Sequence, residues 1–228
     1  VNNIMHVGAP TTARAARLAE HAARSGVEAI CCIPPFFYQF SDEEIVEHYR
    51  TIAAAADLPL FVYNLPSSTG VEITPGLMNK IQDGVPQLAG LKHSSSSLEA
   101  IRVFSDMGLR AFIGSSMRML PALTIGAAGC VDGPPCAAPE LWVELWHAYI
   151  AKDLARAEKA QMVASDFAEI LVRDGFHANI KAFISHRLGI DCGAPRPPGS
   201  AAPATRIDSI ITRATELRIG QINLAEVN

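Results

Sequence analysis

The sequence lacks the features that mark several large classes of protein. Only 18% of its residues are charged and 7% are aromatic, the net charge is −4, and the Lys and Arg residues are scattered along the chain. Nucleic acids and anionic membrane surfaces attract basic patches, so we predict neither as a partner. No apolar run approaches the ~20 residues of a transmembrane helix. The first residues show neither the basic stretch nor the apolar segment of a signal peptide.

Cysteine and histidine are present, but not in disulfide or metal-binding patterns. The five cysteines are an odd number and show no CxxC spacing, and the seven histidines show no ligand spacing. Cys31 and Cys32 lie within an apolar run, where cysteine behaves as a small hydrophobic residue. We therefore predict a reduced, cytoplasmic protein without a metal site.

What the sequence does have is a regular alternation of short apolar runs with amphipathic stretches. Strands are predicted at residues 4–7, 29–33, 60–63, 88–91, 110–113 and 130–131. Helices are predicted at residues 11–24, 41–56, 97–106, 117–125 and 139–151, with a further helix opening at Thr74. The strands recur at roughly 20 to 30 residues, which is typical of right-handed βαβ units and a parallel sheet.

The rhythm changes after residue 152. Residues 154–172, 178–188 and 205–217 all have helical patterns, with no strand between them. We therefore predict a partial (β/α) barrel over residues 1–152 and a helical region over residues 153–228. Six strands are fewer than the eight of a closed barrel, and an open doubly wound sheet is the alternative. Residues 8–12 form the first turn and lack GxGxxG, which argues against a nucleotide-binding sheet.

Two polar residues stand at the ends of consecutive predicted strands. Tyr63 ends the run at residues 60–63, and Lys92 follows the run at residues 86–91. In a barrel, the C-terminal ends of the strands form the face where chemistry occurs. A desolvated lysine can attack a carbonyl and form a Schiff base, and a nearby tyrosine can pass the protons involved. Either residue alone is more often a solvated or packing side chain, so the prediction depends on the pair.

Both residues lie in motifs that resemble those of a known family. Residues 63–70, YNLPSSTG, resemble YNxPxxTG, and residues 90–95, GLKHSS, resemble GxKxSS. These motifs are typical of the pyruvate-dependent class I aldolases and lyases, such as N-acetylneuraminate lyase and dihydrodipicolinate synthase. Residues 35–41, PFFYQFS, and 48–50, HYR, are especially similar to the sialic acid lyase branch. The resemblance runs from about residue 4 to residue 198 and implies a TIM (β/α)8-barrel type of fold.

The resemblance implies roles for particular residues. Lys92 would be the Schiff-base nucleophile and Tyr63 the proton shuttle, with no cofactor beyond the covalent imine on Lys92. The implied substrate-binding residues are Ser68, Ser94, Gly114, Ser115, Ser116 and Val131. The implied partner is a small-molecule 2-oxo acid that contains pyruvate as one half. Phe37 and Tyr38 stand where the family places a subunit interface, so we expect a homo-oligomer.

The sequence also departs from the family pattern. The family begins with two further βα units, and a GTTGE-like turn in the second of them holds the pyruvate carboxylate. No such turn occurs in residues 1–228, so the chain is expected to match strands three to eight. A catalytically impaired relative that keeps only the scaffold is the alternative. With six strands, the first and last would be edges that invite pairing with another chain.

The predicted substrate follows from two further departures. Ser116 and Met117 replace the acidic pair of the sialic acid lyase branch, and Ser68 replaces an arginine of the dihydrodipicolinate branch. Serine hydroxyls suit an uncharged, hydroxylated or small aldehyde half. We therefore predict a 2-keto-3-deoxy sugar acid or 4-hydroxy-2-oxoglutarate as the substrate.

Overall fold

The computed structural model describes residues 2–220, in two compact units. The first unit runs to Ser115 and resumes at Pro121–Val131, whereas the second comprises Ser116–Leu120 and the chain from Asp132 onward. Two ends of the predicted regions lie outside the described part of the chain: residue 1 of the predicted partial barrel and residues 221–228 of the predicted helical region.

One parallel sheet of six strands forms the centre of the first unit. The strands are β1 (Ile4–His6), β2 (Ala29–Cys32), β3 (Leu60–Asn64), β4 (Leu88–His93), β5 (Arg110–Ile113) and β6 (Gly129–Cys130). Each strand pairs with the next one along the chain. This sequential order is that of a barrel, whereas a doubly wound sheet reverses its order near the middle. The doubly wound alternative is therefore wrong, and β1 and β6 are the edges of the described sheet, as predicted.

Helices connect the strands, and local sequence explains where they begin. They are α1 (Thr12–Arg24), α2 (Asp42–Ala56), α3 (Pro66–Thr69), α4 (Pro75–Gly84), α5 (Ala100–Asp106) and α6 (Met119–Thr124). Ser41 forms the predicted capping box with Glu44, whose backbone N–H donates to Ser41 Oγ at 3.3 Å. The Thr74 hydroxyl caps α4 by accepting a hydrogen bond from the Leu77 N–H, and Pro75 occupies an early helical position. The short helix α3 was not predicted.

The two faces of the sheet have different surroundings. The face packed against the helices carries the buried side chains of Ile30, Cys32, Leu60, Val62, Leu91 and Ile113. Burying a side chain of this kind stabilises the fold by roughly 1.5–3 kcal/mol. The opposite face carries a smaller cluster of Ala29, Cys31 and Phe61, with Tyr63 and Phe112 against it. Because both faces are apolar, the strands read as continuous hydrophobic runs rather than as alternating ones.

The second unit is helical. Its helices are α7 (Pro139–Ile150), α8 (Leu154–Val172), α9 (Phe176–Leu188) and α10 (Ala204–Glu216). The buried rings of Phe167 and Phe183 meet edge to face with centroids 5.0 Å apart. The Asn179 amide donates to the carbonyl oxygens of Leu171 and Arg173, at 3.0 and 2.6 Å, and so satisfies the end of α8. Over residues 2–220 no helix is both long enough and apolar enough to cross a membrane.

Candidate active site

The register of β3 and β4 brings the two predicted catalytic residues side by side. Tyr63 is the Cα partner of Lys92, so both side chains leave the same face of the sheet. The Lys92 Nζ atom lies 4.0 Å from the centroid of the Tyr63 ring. Both strands extend beyond their predicted ends, because the ladder continues to the pair Asn64 and His93. Lys92 therefore belongs to its strand rather than to the loop after it.

Lys92 and Tyr63 line a cavity of about 190 Å³ in the first unit. The other lining residues are Ile4, His6, Cys31, Phe61, Phe112 and Val131. Most of these walls are apolar, and Lys92 supplies the only primary amine among them. A small carbonyl compound bound here would meet one strong nucleophile, with the Tyr63 phenol on the adjacent strand.

Two further titratable side chains share the cavity, and the pKa shifts of both favour the uncharged form. Partial burial lowers the pKa of His6, although some of its surface remains accessible, and the charge of Lys92 lowers that pKa further. Burial raises the pKa of the Cys31 thiol to about 12, and Lys92 opposes this rise only in part. The cavity thus places beside the lysine amine an imidazole and a thiol whose uncharged forms are favoured.

Ser94 and Gly114 are in direct contact at the ends of β4 and β5. A Cβ atom at Gly114 would lie 1.8 Å from Ser94 Oγ, so any side chain there would force a rearrangement. The Ser94 hydroxyl is buried and has no hydrogen-bond partner among the described residues. Ser68, by contrast, is exposed on α3. The cavity is not lined by Ser68, Ser94 or Gly114. Nor is it lined by Ser115, which is half-buried.

Ser116 belongs to the second unit, and its backbone is tightly held there. Its N–H donates to Asp132 Oδ2 at 2.7 Å, and its carbonyl oxygen accepts from Trp142 Nε1 at 3.1 Å and from Gln161 Nε2 at 3.2 Å. Its own hydroxyl is buried without a hydrogen-bond partner in the described part of the chain. Val131 lines the cavity with Lys92 and remains 42% exposed.

The two predicted interface residues lie on the surface of the first unit. Phe37 is 84% exposed and Tyr38 is 69% exposed, and their rings contact each other edge to face with centroids 5.0 Å apart. Phe37 also has a φ of 86°, an uncommon value for an aromatic residue. Neighbouring exposed aromatic rings of this kind are typical of interaction surfaces.

Sequence reasoning missed several residues that surround Lys92. His6, Cys31, Phe61 and Phe112 face the cavity because they lie in register on neighbouring strands. The signal was available in principle, because every second residue of a strand shares one face. To use that signal, one must also know the register between neighbouring strands, which a single sequence does not supply. Over residues 2–220, no group of three His, Cys, Asp or Glu side chains is placed to hold a metal ion.

Comparisons with known proteins agree on one family. Residues 1–209 match the family described as the dihydrodipicolinate synthetase family. An uncharacterized DapA-like lyase of Halobacterium salinarum is 36% identical over 199 residues, covering 86% of this chain and 64% of that protein. The N-acetylneuraminate lyase of Rhizobium meliloti is 34% identical over 198 residues, covering 86% of this chain and 65% of that protein. The chain therefore spans less than two thirds of the length of these relatives.

Solved structures show the same similarity in the fold. The wild-type sialic acid aldolase of Ruminococcus gnavus matches with a TM-score of 0.90 and 26% identity, over 96% of this chain and 75% of that one. The dihydrodipicolinate synthase of Aquifex aeolicus matches with a TM-score of 0.88 and 22% identity, over 98% and 77% of the two chains. At that lower identity, the second match concerns the fold alone.

Proposed function

We propose that this chain, which belongs to the dihydrodipicolinate synthetase family, is a class I aldolase or lyase that forms a Schiff base between Lys92 and a 2-oxo acid. The observation that carries the proposal is the contact of the Lys92 amine with the Tyr63 ring, at 4.0 Å, inside a small and largely apolar cavity. One of the similar structures is a catalytic lysine mutant of the Ruminococcus gnavus sialic acid aldolase. That protein therefore has a catalytic lysine, which supports the assignment of Lys92.

The reaction requires a nucleophile, a proton carrier and an electron sink. After it gives up a proton to solvent, the Lys92 amine attacks the carbonyl carbon of the 2-oxo acid, and loss of water leaves a protonated imine. Tyr63 carries protons to and from the departing oxygen. In the cleavage direction, the C4 hydroxyl gives its proton to Tyr63, the bond between C3 and C4 breaks, its electron pair moves into the imine, and an aldehyde leaves. Protonation at C3 and hydrolysis then release pyruvate and the free amine. The covalent imine is the electron sink, so we propose no further cofactor.

The proposed substrate is a 2-keto-3-deoxy sugar acid or 4-hydroxy-2-oxoglutarate. The candidate binding residues other than Gly114 and Val131 are serines, which lie outside the lining of the Lys92 cavity and whose hydroxyls donate and accept hydrogen bonds without carrying charge. Such groups suit the hydroxylated aldehyde half of a 2-keto-3-deoxy sugar acid, and the same hydroxyls can donate to the carboxylate of the glyoxylate half of 4-hydroxy-2-oxoglutarate. N-acetylneuraminate lyases are among the relatives, but Ser116 and Met117 stand in place of an acidic pair. We therefore expect N-acetylneuraminate to be a poorer substrate.

Trapping the imine tests the proposed function. Incubation with pyruvate and sodium borohydride should add one stable mass to the peptide that contains Lys92, because borohydride reduces an imine to an amine that cannot hydrolyse. Lys92→Arg should abolish the adduct, whereas Lys80→Arg, which changes an exposed lysine of α4, should not. Labelling of another lysine would contradict the assignment of Lys92. An unlabelled protein would favour the alternative, a relative that keeps the scaffold without activity.

A further inference from the structure

Directly behind the Tyr63–Lys92 pair, on the opposite face of the sheet, lies a set of buried and part-buried hydrogen bonds that no step of the proposed mechanism uses. Asn64 follows Tyr63, His93 follows Lys92, and the two are partners in the strand register. Both are 0% exposed. Because side chains alternate along a strand, these two point away from the cavity at the same level of the sheet as the catalytic pair.

The backbone determines how both side chains are oriented. The Ile73 N–H donates to Asn64 Oδ1 at 3.1 Å, so the Asn64 Nδ2 group must point elsewhere. The His93 Nε2 atom lies 2.7 Å from the Ser97 carbonyl oxygen, which can only accept, so Nε2 carries the ring proton. In the neutral ring, Nδ1 is then an acceptor. Asn64 Nδ2, at 3.2 Å from that atom, donates to it.

One carboxylate joins the two strand ends a second time. Asn64 Nδ2 also donates to Glu72 Oε1 at 2.9 Å, and the Ser95 hydroxyl donates to Glu72 Oε2 at 3.1 Å. Asn64 ends β3, and Ser95 lies two residues beyond the end of β4. The ends of β3 and β4 are therefore held together by side chains as well as by the backbone ladder.

We infer that Asn64 and His93 are positioning residues, whose buried hydrogen bond holds the ends of β3 and β4 in the register that places the Tyr63 ring against the Lys92 amine. The effect on catalysis rests on the proposed function, whereas the geometry can be measured without it. A slip of one residue would turn a catalytic side chain to the other face of the sheet. A displacement of only about 1 Å can slow a reaction by roughly 100-fold.

Substitutions of His93 can separate its hydrogen bond to Asn64 from its hydrogen bond to Ser97. His93→Asn keeps an acceptor near the Nδ1 position, facing Asn64, and loses the bond to Ser97. His93→Gln keeps a donor near the Nε2 position, facing Ser97, and withdraws the acceptor from Asn64. His93→Leu removes both bonds. Asn179→Leu is a matched control, because it removes two hydrogen bonds of a buried amide in the second unit.

The first measurement needs no substrate. Reductive methylation with ¹³C-formaldehyde labels the lysine amines, and the Lys92 signal is the one lost in Lys92→Met. Because Nζ lies over the Tyr63 ring, its methyl signal should be displaced upfield from those of the other lysines. We expect His93→Asn and Asn179→Leu to keep this displacement, and His93→Gln and His93→Leu to lose it. The second measurement is the rate of borohydride trapping with pyruvate. This rate should fall by roughly 10- to 100-fold in His93→Gln and His93→Leu, and it should stay at the wild-type value in His93→Asn and Asn179→Leu.

The outcomes separate this inference from the proposed function. If His93→Gln behaves like the wild type while His93→Asn loses the displacement, the bond to Asn64 is not what positions the pair, and the inference is wrong. Retention of both signal and rate in His93→Leu would overturn it as well. If His93→Leu fails to fold, the Asn and Gln variants decide. If the displacements follow expectation but even the wild type is not trapped by pyruvate, the positioning stands and the proposed function fails.

Discussion

Acid should destabilise the first unit through His48, a buried residue of α2. His48 is 2% exposed, and its Nδ1 atom lies 2.9 Å from the Thr12 hydroxyl at the start of α1. Its Nε2 atom lies 3.9 Å from the Cys32 thiol of β2. Burial lowers the pKa of His48 from 6.5 to about 4, an effect that the Ile33 backbone opposes only in part. Replacing the ring therefore removes a group whose protonation is coupled to folding.

The sign and size of the effect follow from this difference in pKa. Between about pH 4 and pH 6.5 the unfolded chain binds a proton at His48 that the folded chain does not bind. The stability that His48 contributes is fully present above pH 6.5 and is lost as the pH falls through about 4. The loss amounts to about 3 kcal/mol. A typical domain is stable by only roughly 5–15 kcal/mol, so the effect should be easy to detect.

Urea unfolding at several pH values measures this coupling. Between about pH 7 and pH 4, the wild type should lose about 3 kcal/mol more unfolding free energy than His48→Gln. The control is His21→Gln, at an exposed residue of α1, which should keep the wild-type pH dependence. Carboxylates titrate over the same pH range in all the variants, so their contribution to the change in unfolding free energy cancels when two variants are compared. Equal pH dependence in the wild type and His48→Gln would refute the reasoning.

Four further outcomes are expected. Tyr63→Phe should slow turnover by roughly 10²–10⁴-fold, because it removes the proton carrier; a near-normal rate in a substrate assay would exclude Tyr63 from the mechanism. Gly114→Ala should lower the unfolding free energy by about 1–3 kcal/mol through its clash with Ser94, and adding Ser94→Ala should recover only part of that loss, because a new Cβ would still meet the Ser94 Cβ at 2.9 Å and the His93 carbonyl oxygen at 3.1 Å; an unchanged melting curve would contradict the close contact. In a coupled pyruvate assay, a 2-keto-3-deoxy sugar acid or 4-hydroxy-2-oxoglutarate should be cleaved faster than N-acetylneuraminate; the opposite ranking would contradict our interpretation of the serine residues. Phe37→Ser combined with Tyr38→Ser should reduce the assembly size in analytical ultracentrifugation if these rings form a homo-oligomer interface; an unchanged size would remove them from any such interface.

Local signals in the sequence predicted most of the secondary structure of the first unit. The strand at Arg110–Ile113 has its predicted bounds, and the capping box at Ser41 and the cap at Thr74 both form. These signals succeed because each depends on residues only a few positions apart. In the second unit, Leu154–Val172 likewise forms the predicted helix.

Features that depend on distant residues were harder to predict. The strand containing Lys92 extends to His93 because its backbone pairs with β3, which no local pattern reveals. Gly114 must be glycine because Ser94, just after the end of β4, occupies the space of a side chain. His93 appeared in the sequence only as part of a motif, and its hydrogen bond to Asn64 depends on the strand register. The proposed catalytic pair was predicted because both residues end recognisable apolar runs and lie in motifs that resemble those of the family.

Proton exchange at C3 of pyruvate tests the central claim most directly. If Lys92 forms an imine that acts as an electron sink, the methyl protons of bound pyruvate become exchangeable through the enamine. In D₂O, NMR should then show loss of the pyruvate methyl proton signal with wild-type protein, at a rate far above that of buffer. Lys92→Arg should reduce this exchange to the buffer rate, and Lys80→Arg should leave it unchanged. Equal exchange in the wild type and Lys92→Arg would contradict the account.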